Sequence, residues 1–321
     1  MAMPVVCQGL RHLRDGFQCI VYADDKSGMV KKIIGLKEGD QITEQQAHLL
    51  ATQINEYYPL FPEMVQKPEN FSCTYYFDNA VGKWLIVESE KYSGYPLTTI
   101  LNCTTGETGV RATVIIEQII DYMVEIFKTV ESNGLCQVGF DPKADNFLIN
   151  DSSVTYCDFV PPRYKDSSGR YIIEYLTPVP EDRRLYFINR YFSPLGMIKL
   201  LLIHISRNAP KLRKKTITIL REKLLANGQY SILQALSRHL ITENITTFNS
   251  DEVIAKLDPM DPDGIRDIAC QVAITTNGHC NLGSFREIFN LTHIDVRHEI
   301  RLDEMTFCLV KNLFHTLIKG V

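Results

Sequence analysis

The sequence predicts an α+β fold in two parts, a small antiparallel β-sheet carrying one helix over residues 1–90 and a larger, mostly helical part over residues 91–321. Three observations predict it. Short apolar or alternating runs, separated by turns rich in Asp, Asn and Gly, fill the first ninety residues. Beyond Gly94 the apolar residues take up helical spacing. No internal repeat or low-complexity tract breaks either part.

In chain order, Gln18–Ala23 and Met29–Ile34 read as strands, and Asp24-Asp25-Lys26-Ser27-Gly28 between them reads as a hairpin turn. A helix is expected from about Thr43. Thr43 and Gln46 can form a capping box, Ala47, Leu50, Ala51 and Ile54 keep a helical stripe, and Pro59 and Pro62 end it. Phe71–Phe77 and Lys83–Ser89 flank a second hairpin turn, Asp78-Asn79-Ala80-Val81-Gly82. The tally is four strands with one helix packed on an open sheet, and the link Glu88–Gly94 is the expected hinge. Thr113–Ser132 then carries Ile116, Ile119, Ile120, Met123, Val124, Phe127 and Val130 on one face, with Gly134 placed as its C-terminal cap. Two short strands, Phe147–Ile149 and Val154–Cys157, surround the turn Asn150-Asp151-Ser152-Ser153. Helical periodicity dominates from about Asp182, with segments expected near 195–206, 211–226, 230–240, 251–257, 284–290 and 304–318.

Bulk properties narrow the function classes. With 45% hydrophobic and 22% charged residues, the chain has the composition of an ordinary soluble globular protein. A net charge of -4 argues against a dedicated nucleic-acid binder, and no tandem aromatic-basic pattern suggests single-stranded nucleic acid. The basic run Lys211, Arg213, Lys214, Lys215 reads as a solvated helix face. The longest apolar stretch, Leu195–Ile205, is interrupted by Lys199 and His204 and is too short to span a bilayer, so no membrane partner is expected. Residues Met1–Leu10 lack a charged segment followed by an apolar run, so no secretion signal is expected. Nine cysteines without a Cys-x-x-Cys pair read as reduced thiols, which implies the cytoplasm. Cys270, His279 and Cys280 match no zinc spacing.

The informative stretch is Val138-Gly139-Phe140-Asp141-Pro142-Lys143-Ala144-Asp145-Asn146-Phe147-Leu148-Ile149, followed by Tyr156-Cys157-Asp158-Phe159-Val160. An aspartate precedes by five residues an asparagine that opens a strand, and after a tight turn an Asp-Phe pair closes the next strand. This pattern resembles the catalytic and metal-binding loops of the protein-kinase-like superfamily, closest to small-molecule kinases of the aminoglycoside-phosphotransferase type. The resemblance implies a two-lobed kinase-like fold, with ATP and Mg2+ held between the lobes and the γ-phosphate passed to a hydroxyl. Phosphoryl transfer needs positioning and charge neutralisation more than covalent help. Magnesium is a hard cation that takes few protein carboxylates and prefers oxygen.

On the resemblance, Asp141 orients the nucleophile. Asn146 and Asp158 hold metal, and Lys143 stabilises the transferred group. Upstream, the family's phosphate lysine is Lys31 or Lys32; only one can serve, because neighbouring strand residues face opposite ways, and Val30-Lys31-Lys32-Ile33-Ile34 fits the family's small-x-Lys-apolar-apolar pattern with Lys32 inward. Glu44 is its expected helix partner, with Glu56 as second choice. Gly16 is the single glycine of the phosphate-covering loop, and the backbone around Glu88–Glu90 meets the adenine edge. Three departures from the family steer the class. Gly139 stands where relatives carry a histidine, Val160-Pro161-Pro162-Arg163 replaces a mobile activation loop with a stiff segment, and the phosphate loop has one glycine. Arg163 either reaches an anion or makes a surface salt bridge. The acceptor expected is a small-molecule hydroxyl. A pseudokinase that binds nucleotide without turnover and a true protein kinase are the alternatives.

Overall fold

The structure, a computed structural model, describes residues 4–245 apart from 17, 38, 92–93, 102–106, 151–152 and 177, together with 247–248 and 301–302. Its first part is a five-stranded antiparallel sheet. The strands are β1 (Arg11–Asp15), β2 (Cys19–Asp24), β3 (Met29–Ile34), β4 (Ser72–Asp78) and β5 (Lys83–Lys91), in the order β1-β2-β3-β5-β4. Two turns set the register. Asp24 accepts the N–H groups of Lys26 and Ser27, and Asp78 accepts those of Ala80 and Val81. Gly28 (φ 68) and Gly82 (φ 64) close these turns in the left-handed region that L side chains avoid. The sequence reading found four of the five strands. It missed β1, whose residues are all exposed on a sheet edge and therefore carry no apolar alternation.

Helix α1 (Glu44–Tyr57) lies between β3 and β4 in the chain and packs on β4 and β5 through Ala47, Leu50, Ala51 and Ile54. Its expected capping box is formed: the Thr43 hydroxyl accepts the Gln46 N–H, and the Gln46 side chain accepts the Thr43 N–H.

The remainder is mainly helical. It holds α2 (Leu97–Leu101), α3 (Glu107–Phe127), α4 (Glu181–Phe192), α5 (Pro194–Asn208), α6 (Arg213–Ala226) and α7 (Tyr230–Ile245). A three-stranded sheet joins β6 (Tyr95–Pro96), β7 (Phe147–Asn150) and β8 (Ser153–Tyr156) in that order, and β9 (Arg163–Lys165) pairs with β10 (Tyr171–Ile173). One hydrophobic core serves both parts, running from Ile34, Ile54 and Tyr57 through Ile119, Met123 and Phe147 to Ile198, Leu220 and Leu236. The chain is thus α+β, with the change of character falling where β5 ends.

Helix α3 begins earlier and ends earlier than its apolar stripe suggests. After Phe127 the N–H groups of Lys128, Thr129 and Val130 bond three residues back, which tightens the chain out of the helix. Gly134 is consequently not the helix cap. It sits at φ 79 in the turn between Val130 and Cys136, which form a β-bridge. The helices expected near 251–257, 284–290 and 304–318, and Cys270, His279 and Cys280, lie outside the described residues. Among the described residues no helix is long and apolar enough to cross a membrane.

Candidate active site

The Gly139–Asp141 segment is pinned on three sides before any functional side chain is considered. The Gly139 N–H donates to the Arg163 carbonyl at 2.9 Å, the Phe140 N–H donates to the Tyr191 carbonyl at 2.9 Å, and the Tyr57 hydroxyl of α1 donates to the Gly139 carbonyl at 2.7 Å. The Phe140 ring packs against Phe61, Phe147 and Tyr156 in the core. A histidine does not fit at 139. Even a methyl group there would stand 2.7 Å from the Arg163 Cβ and 3.1 Å from the Phe192 ring. The departure from the family pattern is therefore filled by neighbours rather than left as a gap.

Asp141, Asn146 and Asp158 converge. The Asn146 Nδ2 donates to the Asp141 carbonyl at 2.9 Å and to the Asp158 Oδ2 at 3.1 Å, so one amide ties both loops together. The loop ends are also joined through the backbone, because the Cys157 N–H donates to the Asn146 carbonyl at 2.9 Å. Lys143 Nζ lies 2.7 Å from Asp141 Oδ2. Arg163 Nη2 lies 3.1 Å from Asp158 Oδ2 and 3.8 Å from Asp141 Oδ2. Asp141 is 1% exposed, and its Oδ1 has no hydrogen-bond partner. Burial pushes its carboxyl up, but the cations Lys143, Arg163 and Arg190 outweigh burial and hold it below the usual carboxylate value. For Lys143 burial pulls the ammonium down, and the Asp141 charge overrides it upward. Asp141 is thus held ionised by its neighbours, with Oδ2 paired to Lys143 and Oδ1 buried and unpaired.

The second cluster hangs from the sheet. Lys32 on β3 is in register with Glu88 on β5, and Glu90 follows two residues on, facing the same way. Lys32 Nζ lies 2.5 Å from Glu88 Oε1 and 3.1 Å from Glu90 Oε1, and it donates to the Cys157 carbonyl beside Asp158. All three side chains are buried. Of the two candidate lysines, Lys32 is the one turned toward the Asp158 loop. The expected Glu44 partnership is not formed, because Glu44 is exposed in the first turn of α1 and Lys32 is already paired from the neighbouring strand. Glu56, the second choice, instead accepts from the Tyr164 hydroxyl. Glu88 was expected to offer its backbone to adenine, but β5 is flanked by β3 and β4 at that position, so its contribution is its carboxylate. Desolvation pushes that carboxyl up to about 7, against the pull of Lys32 and with help from Glu90. Gly16 lies in the β1–β2 turn, where its N–H donates to the Cys19 carbonyl at 2.8 Å and its carbonyl accepts from Lys37.

Compared with family models and with curated proteins, the chain matches none. The chemistry is therefore read from the donor set. Among the described residues no group of three His, Cys, Asp or Glu side chains is placed to hold a metal by itself. Asp158 Oδ1 and Asn146 Oδ1 accept no hydrogen bond from the described residues, because the bonds just named use Asp158 Oδ2 and Asn146 Nδ2. One carboxylate and one amide oxygen suit Mg2+, which completes its shell from water and phosphate oxygens.

Sequence reasoning gave Glu90 only a backbone part and undervalued Arg163, which is 2% exposed and not on the surface. The signal for the first was two same-face glutamates in the otherwise apolar run Trp84-Leu85-Ile86-Val87, Glu88-Ser89-Glu90, since buried carboxylates require a cation. Of the basic run, Lys211, Lys214 and Lys215 are exposed as expected, whereas Arg213 is half-buried and its Nε donates to Ser206 Oγ at 3.0 Å. A depression of about 320 Å3 lined by Met64, Gln66, Gln118, Asp121, Tyr122 and Ser153 includes none of the candidate site residues.

Proposed function

We propose that the chain is a protein-kinase-like phosphotransferase that uses ATP and Mg2+ to phosphorylate a hydroxyl of a small molecule. The observation that carries this reading is the Asn146 amide holding the Asp141 loop and the Asp158 carboxylate together at 2.9 and 3.1 Å. In the reaction, the Asp141 carboxylate accepts the hydroxyl proton while the acceptor oxygen bonds the γ-phosphorus and the bond to the ADP oxygen breaks. Lys143 offsets charge on the transferred group, Asn146 and Asp158 hold the metal–phosphate unit, and Lys32 faces the phosphates from the sheet. A bound magnesium supplies charge neutralisation.

Two features favour a small acceptor over a protein substrate. The segment after Asp158-Phe159 turns at once into the β9–β10 hairpin, and Tyr164 within it is tied to Glu56 of α1. A segment held this way is a poor candidate for a loop that switches on phosphorylation. Free thiols at Cys7, Cys19, Cys73, Cys136 and Cys157 accord with a reducing, cytoplasmic setting. The pseudokinase reading draws support from one observation: Lys32, Asp141 and Asp158 already have partners within the chain.

Asp141→Asn keeps the side chain's size and removes its basicity. Turnover of ATP against a panel of small hydroxyl compounds should fall by about 100-fold or more, while the affinity for MgATP, read by thermal shift, stays within about threefold. No stabilisation of the parent protein by MgATP, or equal loss of both properties in the variant, refutes the assignment.

A further inference from the structure

Arg163 occupies a position the proposed chemistry does not require, and its surroundings are built around it. The guanidinium is buried, stacks 4.7 Å from the Tyr191 ring centroid, and reaches the Tyr156 hydroxyl at 3.5 Å. Its own carbonyl accepts from Gly139, and only the missing Cβ at Gly139 lets the Arg163 stem come so close. Pro161 and Pro162 precede it with their backbone φ fixed by the ring. All this aims Nη2 at Asp158 Oδ2, the same oxygen that takes the Asn146 amide at 3.1 Å.

A carboxylate oxygen offers two lone pairs. Asp158 Oδ2 therefore has both in use, and only Oδ1 remains for a cation. Asp141 and Asp158 both face the Arg163 guanidinium, and two carboxylates so placed repel each other unless a cation stands between them. Arginine supplies that charge permanently, since its guanidinium does not lose its proton in proteins, and its planar fork serves two oxygens where an ammonium is a point charge.

We propose that Arg163 is a resident counter-cation that takes one oxygen of Asp158, confines a divalent ion to the other, and weakens metal binding while keeping Asp141 and Asp158 aligned for transfer. The inference rests on the phosphotransferase reading for its metal, and it makes Arg163 a positioning residue.

Its signature is opposite effects on binding and on rate. Mn2+ titrated without nucleotide, with free ion followed by electron paramagnetic resonance, should bind Arg163→Gln about tenfold more tightly than the parent, because a nearby positive charge has gone. Arg163→Lys should stay within about threefold of the parent. Phosphoryl transfer should fall about tenfold or more in Arg163→Gln, in kcat rather than in KM for the acceptor, with partial rescue by lysine. Equal or weaker Mn2+ binding in Arg163→Gln overturns the proposal. Tighter binding in the variant without transfer by the parent keeps the counter-cation and removes the phosphotransferase, whereas Mn2+ binding by neither protein, with or without an ATP analogue, removes both. Because removing the buried Arg163 charge beside the buried Asp141 endangers folding, a crystal structure of the parent protein with Mn2+ and an ATP analogue gives an independent test. Asp158 meeting the ion through Oδ1 alone, with Arg163 still on Oδ2, supports the proposal, and bidentate coordination with Arg163 withdrawn refutes it.

Discussion

Replacing Glu88 by glutamine should change how stability depends on pH. The glutamate is fully buried beside Glu90, and burial lifts its carboxyl from an ordinary 4.5 to about 7 against the opposing pull of Lys32. A carboxyl raised on folding binds its proton more tightly in the native state than in the unfolded one. Its contribution to stability is complete below about pH 4.5 and is lost as the pH rises through about 7. At 1.36 kcal/mol per unit, the loss across this interval is about 3 kcal/mol. Carboxyls held low, such as Asp141 and Asp166, gain stability with rising pH and run the other way, so the variant must serve as the reference. Glutamine keeps the shape and hydrogen-bonding capacity at position 88 and cannot titrate. Urea unfolding can be followed by the fluorescence of Trp84, the sole tryptophan, which lies on β5 with Glu88 and packs against Tyr75 and Phe77. The parent-minus-variant difference in unfolding free energy should decline by about 3 kcal/mol between pH 4.5 and pH 8. A difference that stays level, or that grows with pH, would show that Glu88 does not hold a proton in the folded protein.

Two structural predictions accompany it. Gly139→Ala places a methyl group 2.7 Å from the Arg163 Cβ and should cost about 1–3 kcal/mol by overpacking, seen as a lower Tm with Asp141-dependent activity falling in parallel. Thr43→Ala removes the capping box of α1 and should cost about 1 kcal/mol, with faster amide hydrogen exchange at Gln46; unchanged exchange there would count against the cap.

The sheet was legible because its inner strands obey local rules. Met29–Ile34 is found with the same bounds in sequence and structure, and the turns at Gly28 and Gly82 are where Asp and Gly announce them. Edge strand β1 and the short β9–β10 pair escaped because their residues answer to hydrogen-bond partners elsewhere, not to a pattern of their own. At the site, the Asp141, Asn146 and Asp158 spacing marked residues that do converge. The partner of Lys32 did not follow from spacing, since it comes across a strand pair 56 residues away rather than from the next helix. Arg163 was ambiguous for the same reason: the ring it stacks on, Tyr191 of α4, lies far along the chain.

The Tyr57 hydroxyl on the Gly139 carbonyl, with the Tyr57 ring packed against Phe61 and Phe159, has a mechanical consequence. The last turn of α1 is tied directly to the loop bearing Asp141. A helix bolted in this manner cannot act as a lever that throws the Asp141 carboxylate in and out of line. Control over such a protein would have to come from the supply of its ligands, not from an internal brake.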